Sequence, residues 1–193
     1  GGVAQLVAEE GWLASRPIET PLLIAAQGPK GQAIAREVAD GLISLGAPTT
    51  GFSTCLVGVN GTVLDEGETL DSPRVQAVVV PLVATAYHAA YARDPESVKS
   101  LPNGEAWLAS VEALPEEVRH LSVHRGHLKE IANGHDELID TSLAQRVTFT
   151  GTPDELRARL DKLEAGGATG VILGTSGADV EREMRAFASV AGL

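Results

Sequence analysis

Residues Pro21–Ile43 read PLLIAAQGPKGQAIAREVADGLI, and the fold turns on how this stretch divides. Leu22–Ala26 is a continuous apolar run of strand length, the pattern of a strand buried on both faces. Gln27–Gly31 follows as a loop of two glycines, a proline and a lysine. Gln32–Ala39 then has helical spacing, with Ile34, Ala35, Val38 and Ala39 as its apolar stripe. Asp40-Gly41 opens a second apolar run, Gly41–Leu45. Strand, loop, helix and strand in this order imply a parallel pair joined by a crossover helix.

The rest of the chain repeats the alternation less regularly. Phe52–Leu64 is apolar but interrupted by Gly58 and by the hairpin-like Asn60-Gly61, so it reads as one bent strand or two. Val75–Arg93 is apolar almost all round, a buried helix broken or started at Pro81 and ended by Asp94-Pro95. Glu105–Leu114 and Pro115–Ile131 read as two more helices, the second with proline in its first turn. Thr152-Pro153-Asp154-Glu155 is a capping box that starts a helix with Leu156, Leu160 and Leu163 on its buried face. Gly166-Gly167 stops that helix. Gly170–Gly174 is a strand, with its apolar run from Val171. A last helix carries Val180, Met184, Phe187 and Ala191. Four parallel strands with crossover helices fit an α/β domain, either an open doubly wound sheet or part of a barrel. The 193 residues read as a single domain, with residues 1–20 a linker or leading segment.

Composition narrows the function. A net charge of −11 opposes binding to phosphate backbones, and no basic stripe offsets it, so nucleic acid is not expected as a partner. No apolar run approaches the ~20 residues of a membrane span, and no signal peptide is visible, so the expected setting is cytoplasmic, without a membrane partner. The single cysteine, Cys55, sits among apolar neighbours and is expected to be buried.

The chemistry centres on Gln27–Gly31. Parallel strands present ligands at their carboxyl ends, and here the loop also feeds a helix N-terminus, where free N–H groups favour an anion. Gly28 and Gly31 permit close approach of the backbone, and Lys30 adds a charge. The loop has neither the Walker A pattern nor the GxGxxG fingerprint, and a plain strand-to-helix turn remains the alternative. Gly174-Thr175-Ser176-Gly177 is a second small, polar loop leading into a helix, open to the same two readings. His120, His124 and His127 share one helical face at i, i+4, i+7. They could bind zinc, but there is no HExxH arrangement and Gly126 interrupts the helix, so no metal is expected and pocket lining or polar packing is preferred. His88, beside Tyr87 and Tyr91, reads as a hydrogen-bonded core histidine and His135 as solvated. Asp65-Glu66 and Glu116-Glu117 read as turn and helix-start carboxylates.

IAAQGPKGQAIAREVADGLI resembles the fifth-strand segment of the luciferase-like monooxygenases, flavin- or deazaflavin-dependent (β/α)8 TIM barrels, and in particular their methylenetetrahydromethanopterin reductase-like branch. FTGTPDELRARLDKLEAGGATGVILGTSG is similar to that family's last barrel unit, and GEAWLASVEALPEEVRHLSVHRGHL to an actinobacterial-type subgroup. The resemblance implies an oxidoreductase that uses coenzyme F420, or alternatively FMN, for hydride transfer involving a small organic substrate. It implies cofactor-phosphate binding by Ala26, Gln27, Gly28, Pro29, Lys30 and Gly31. Catalytic residues are not assigned by it. The residues themselves, and not the resemblance, suggest a candidate pocket of Gly174, Thr175, Ser176, His124 and His127. A barrel of this type has about 250 residues, whereas this chain resembles the C-terminal four strand–helix units, so the expectation is a fragment, an incompletely represented chain, or half of an assembly such as a homodimer that completes the barrel. The competing readings are a non-redox barrel enzyme acting on a phosphorylated substrate through Lys30, a zinc hydrolase using the three histidines, and a non-catalytic cofactor-binding half-barrel.

Overall fold

The computed structural model describes residues 20–126, 128 and 136–193. Its centre is a four-stranded, all-parallel sheet in the order β1 (Leu23–Ala25), β2 (Gly41–Leu45), β3 (Cys55–Asn60), β4 (Gly170–Gly174). Each strand lies next to its predecessor and the direction of travel never reverses. With right-handed crossovers, that order puts the connections on one face. The sheet is therefore wound singly, as in part of an α/β barrel, and not doubly.

Strand alternation bears this out. Ile24, Leu42, Cys55, Val57, Val59, Val171 and Leu173 share the covered face and pack into the apolar clusters beneath the helices. Those helices are α1 (Pro29–Val38), which contributes Ala35, and two at the other end of the chain. Of the latter, α6 (Pro153–Ala165) contributes Leu156, and α7 (Val180–Ala191) contributes Phe187 and Val190. Among the described residues the opposite, inner face has no such cover: Leu45 and Ile172 on it are 63% and 41% exposed. No helix joins β2 to β3. Phe52 in that connection fills in for one, packing beside Leu42 and under the Arg36 guanidinium, 5.2 Å from the ring centroid.

Between β3 and α6 lies a helical layer: α2 (Pro73–Arg93), α3 (Gly104–Glu112), α4 (Glu116–Val123) and α5 (Ala144–Val147), with short 3₁₀ turns. Its core is built on Val75, Val79, Val83, Tyr87, Trp107 and Val111. At 21 residues α2 is long and apolar enough to cross a membrane, contrary to expectation. Half of its most apolar window is buried here, and it is the centre of this layer. It also runs unbroken through Pro81, which is buried in the core.

Other expectations need correction. Helix α1 begins at Pro29, not Gln32, because proline is accommodated at a first helical position where no N–H is needed. Its stripe is rotated: Ala35 is fully buried, while Ile34 and Val38 are 57% and 55% exposed. The cause is close packing, since a Cβ at Gly31 would stand 3.0 Å from that of Ala26, so the helix presents its small residues to the sheet. In α7 the buried set is Glu183, Phe187 and Val190; Val180, Met184 and Ala191 point outward. Helix α4 stops at Val123, and Gly126 has φ 72°, a left-handed conformation that suits glycine and ends the helical run. Asn60-Gly61 is no hairpin. The chain continues past β3 and pairs in parallel with residues 149–151, through Phe149 N–H to the Asn60 carbonyl at 2.7 Å and a bridge between Val63 and Gly151. Gly61 makes this possible, because a Cβ there would fall 2.3 Å from the Phe149 carbonyl carbon.

The capping box of α6 forms as expected, Thr152 accepting from the Glu155 N–H and Glu155 from the Thr152 N–H. Thr152→Ala should cost about 1 kcal/mol, read as a lowered urea midpoint at unchanged slope. An unshifted midpoint would mean that the box adds nothing to α6.

Candidate functional site

All four strands point the same way, so four connections leave the carboxyl end of the sheet: Ala26–Gly28 after β1, Gly46–Thr54 after β2, Thr62–Asp65 beyond β3, and Thr175–Asp179 after β4.

The first is an open helix start. Gly28 is the N-cap of α1, with φ −97° and ψ 161°; among the described residues no side chain caps the helix, and its first turn holds no acid. Pro29 has no N–H to offer, and Gln32 N–H is returned to the Gly28 carbonyl at 3.0 Å. The donors left over are the N–H groups of Lys30 and Gly31, beside the exposed Lys30 ammonium. Ala26 serves packing instead: it is buried, and its N–H goes to the Ile43 carbonyl at 3.2 Å. The Gln32 amide ties the loop down, donating to the Gln27 carbonyl at 3.2 Å and to Thr49 Oγ1 at 3.4 Å.

The loop after β4 has the opposite character. Helix α7 is capped by its own Asp179, which accepts from the Arg182 N–H at 2.9 Å, and Glu181 and Glu183 fill its first turn. An anion has no place at that terminus. Ser176 is buried and donates to the Leu128 carbonyl at 3.1 Å, so this loop is joined to the chain just past His124. His124 is exposed and its ring stands edge-on to His88, with centroids 5.6 Å apart; His88 in turn lies against Trp107. His120 is exposed on α4, while His127 and His135 fall outside the described residues. Among the described residues no group of three metal-ligating side chains comes together. Cys55 is fully buried and accepts from the Thr49 N–H at 3.4 Å.

The sequence did not disclose the buried ion network beyond β3. Glu183 is 4% exposed and accepts from Thr62 Oγ1 at 2.7 Å, Arg74 Nη1 at 2.8 Å and Arg182 Nη1 at 3.0 Å. Arg74 also binds Glu68, and Arg182 binds Asp65 at 2.5 Å. Both guanidiniums donate to the Val63 carbonyl. Asp65 is thus a partner in a network and not merely a turn carboxylate. The network locks the carboxyl end of β3 to the starts of α2 and α7.

The hydrogen bond from Arg74 holds the Glu68 carboxyl down at about 2, against 4.5 ordinarily. A carboxylate with a lowered folded-state pKa stabilises the fold above its unfolded value and loses that contribution as pH falls through the folded one. Tm should therefore fall more steeply for the native chain than for Glu68→Gln between pH 4.5 and about 2. Parallel profiles would refute the contribution.

An open groove of about 750 Å³ lies elsewhere, at the amino end of β4, between α6 and the last turn of α7. In singly wound α/β folds that end serves stability and the carboxyl end serves chemistry. The α1 start is therefore the better candidate. Compared with known proteins, the chain matches no family model and no curated protein.

Proposed function

We propose that the chain is an oxidoreductase of the luciferase-like type, built from strand–helix units of a (β/α)8 barrel, with Gln27–Gly31 holding the phosphate of coenzyme F420 or, alternatively, FMN. The observation that carries this reading is the uncapped, acid-free start of α1 at the carboxyl end of β1, with Lys30 beside its two available N–H groups. An anionic phosphate suits that terminus, and among the described residues no side chain already occupies it. The cofactor would supply the hydride chemistry, and the protein its orientation.

The barrel would be closed in an assembly, a homodimer being the simplest. The outer edges of β1 and β4 have no neighbouring strand among the described residues, the inner face is apolar and open, and Ile34 and Val38 project from α1. The substrate would then be a small organic molecule enclosed against the inner face.

Native mass spectrometry with added FMN or F420 tests both parts. The expected spectrum shows an assembly larger than one 20.0 kDa chain, carrying a cofactor-sized adduct. A bare monomer with either cofactor would overturn the proposal.

A further inference from the structure

We propose that Asn60 is a ligand-binding residue whose carboxamide recognises the alternating acceptor–donor–acceptor edge of a planar cyclic imide. This rests on the oxidoreductase reading, since the rings of both F420 and FMN carry such an edge, and it assigns that edge a partner.

Asn60 closes β3, a central strand, at the carboxyl end of the sheet. Alternation along β3 puts Cys55, Val57 and Val59 on the covered face and Leu56, Gly58 and Asn60 on the inner one. Every other strand position on the inner face is alanine, leucine, isoleucine or glycine. Asn60 is thus the single polar side chain of the four strands on that face.

Its placement is built. The Asn60 carbonyl is fixed by the Phe149 N–H at 2.7 Å, and in the ladder Asn60 stands opposite Gly174 of β4. The side chain lies over that glycine: a Cβ at Gly174 would come 1.9 Å from Asn60 Oδ1. Gly174 therefore leaves the room that the amide occupies. Among the described residues the amide makes no hydrogen bond, so one acceptor and two donors are free at the place where parallel sheets receive ligands.

An imide offers N–H between two carbonyls. Its N–H can donate to Oδ1 while one carbonyl accepts from Nδ2, giving two parallel hydrogen bonds in one plane. The otherwise apolar inner face around Asn60 suits a flat ring lying against the sheet. A carboxylate or sugar hydroxyl would not match both atoms in one plane.

The test is a fluorescence titration of FMN into the native chain, Asn60→Leu and Gly174→Ala, with inorganic phosphate as competitor. Leucine has nearly the shape of asparagine, suits the apolar face, and breaks no hydrogen bond within the described residues. Gly174→Ala keeps the amide but displaces it. Both variants should bind FMN at least tenfold more weakly, while the phosphate concentration needed for competition stays in proportion. FMN affinity within twofold of native in both variants would overturn the role of Asn60 and leave the oxidoreductase reading standing. Failure of the native chain to bind either FMN or F420 would overturn that reading, and this inference with it.

Discussion

Glu183→Ala should destabilise the fold by about 3 kcal/mol or more, a fall in Tm of roughly 10 °C for a chain of this size. Glu183 is the shared acceptor of Arg74, Arg182 and Thr62, and it is 4% exposed. Removing it takes the shared, buried carboxylate from two guanidiniums whose side chains are only 29% and 18% exposed, leaving Arg74 to Glu68 and Arg182 to the exposed Asp65. Breaking one side of a buried ion cluster costs more than the cluster contributes as a whole, because the charges left behind stay desolvated. Arg182→Ala is the internal control. It leaves Glu183 paired with Arg74, and Asp65, which is 60% exposed and readily hydrated, keeps a 3.9 Å contact with Arg74 Nε, so its loss should be smaller. Thermal unfolding of the two variants side by side decides the matter. Equal, small losses would mean that water reaches the network.

Gly28→Asp should leave stability within about 0.5 kcal/mol of native while weakening cofactor binding about 100-fold. Aspartate is among the best N-cap residues, and the backbone here is extended with open space where a Cβ would stand. The new carboxylate would accept the very N–H groups of Lys30 or Gly31 that a phosphate would use, and would repel it. Gly28→Ala adds a Cβ without a charge or an acceptor, so its affinity should stay near native. Stability and binding separate in this pair of variants, measured by thermal unfolding and FMN titration. Unchanged affinity in Gly28→Asp would remove the phosphate from α1.

The parts of the fold legible in the sequence were those with local signals. The β1–α1–β2 unit, the capping box of α6 and strand β4 each rest on a few neighbouring residues, and each is present. The face of α1 was half legible: Ala35 and Ala39 of the expected stripe pack on the sheet, whereas Ile34 and Val38 do not, because the close approach at Gly31 favours small residues. The helix through Pro81 was not legible, because burial on all sides outweighs one lost hydrogen bond. The Gln27–Gly31 loop was found by composition and spacing. What distinguishes it from the loop after β4 emerged with the caps: one terminus is open, the other filled by Asp179. The Glu183 network escaped because its members stretch from Thr62 to Glu183, and no pattern in the intervening sequence links them. Asn60 looked like half of a turn, since the chain that pairs with it beyond β3 arrives only at Phe149.

The central claim is that Gln27–Gly31 binds a cofactor phosphate. Backbone amide chemical shifts of uniformly ¹⁵N-labelled protein, followed while FMN or riboflavin is added, test it most directly. The two ligands share a ring and differ by the phosphate. The account predicts that FMN moves the amides of Gly28, Lys30 and Gly31, and that riboflavin leaves those three in place. FMN shifts that avoid these amides, or equal shifts with riboflavin, would contradict it.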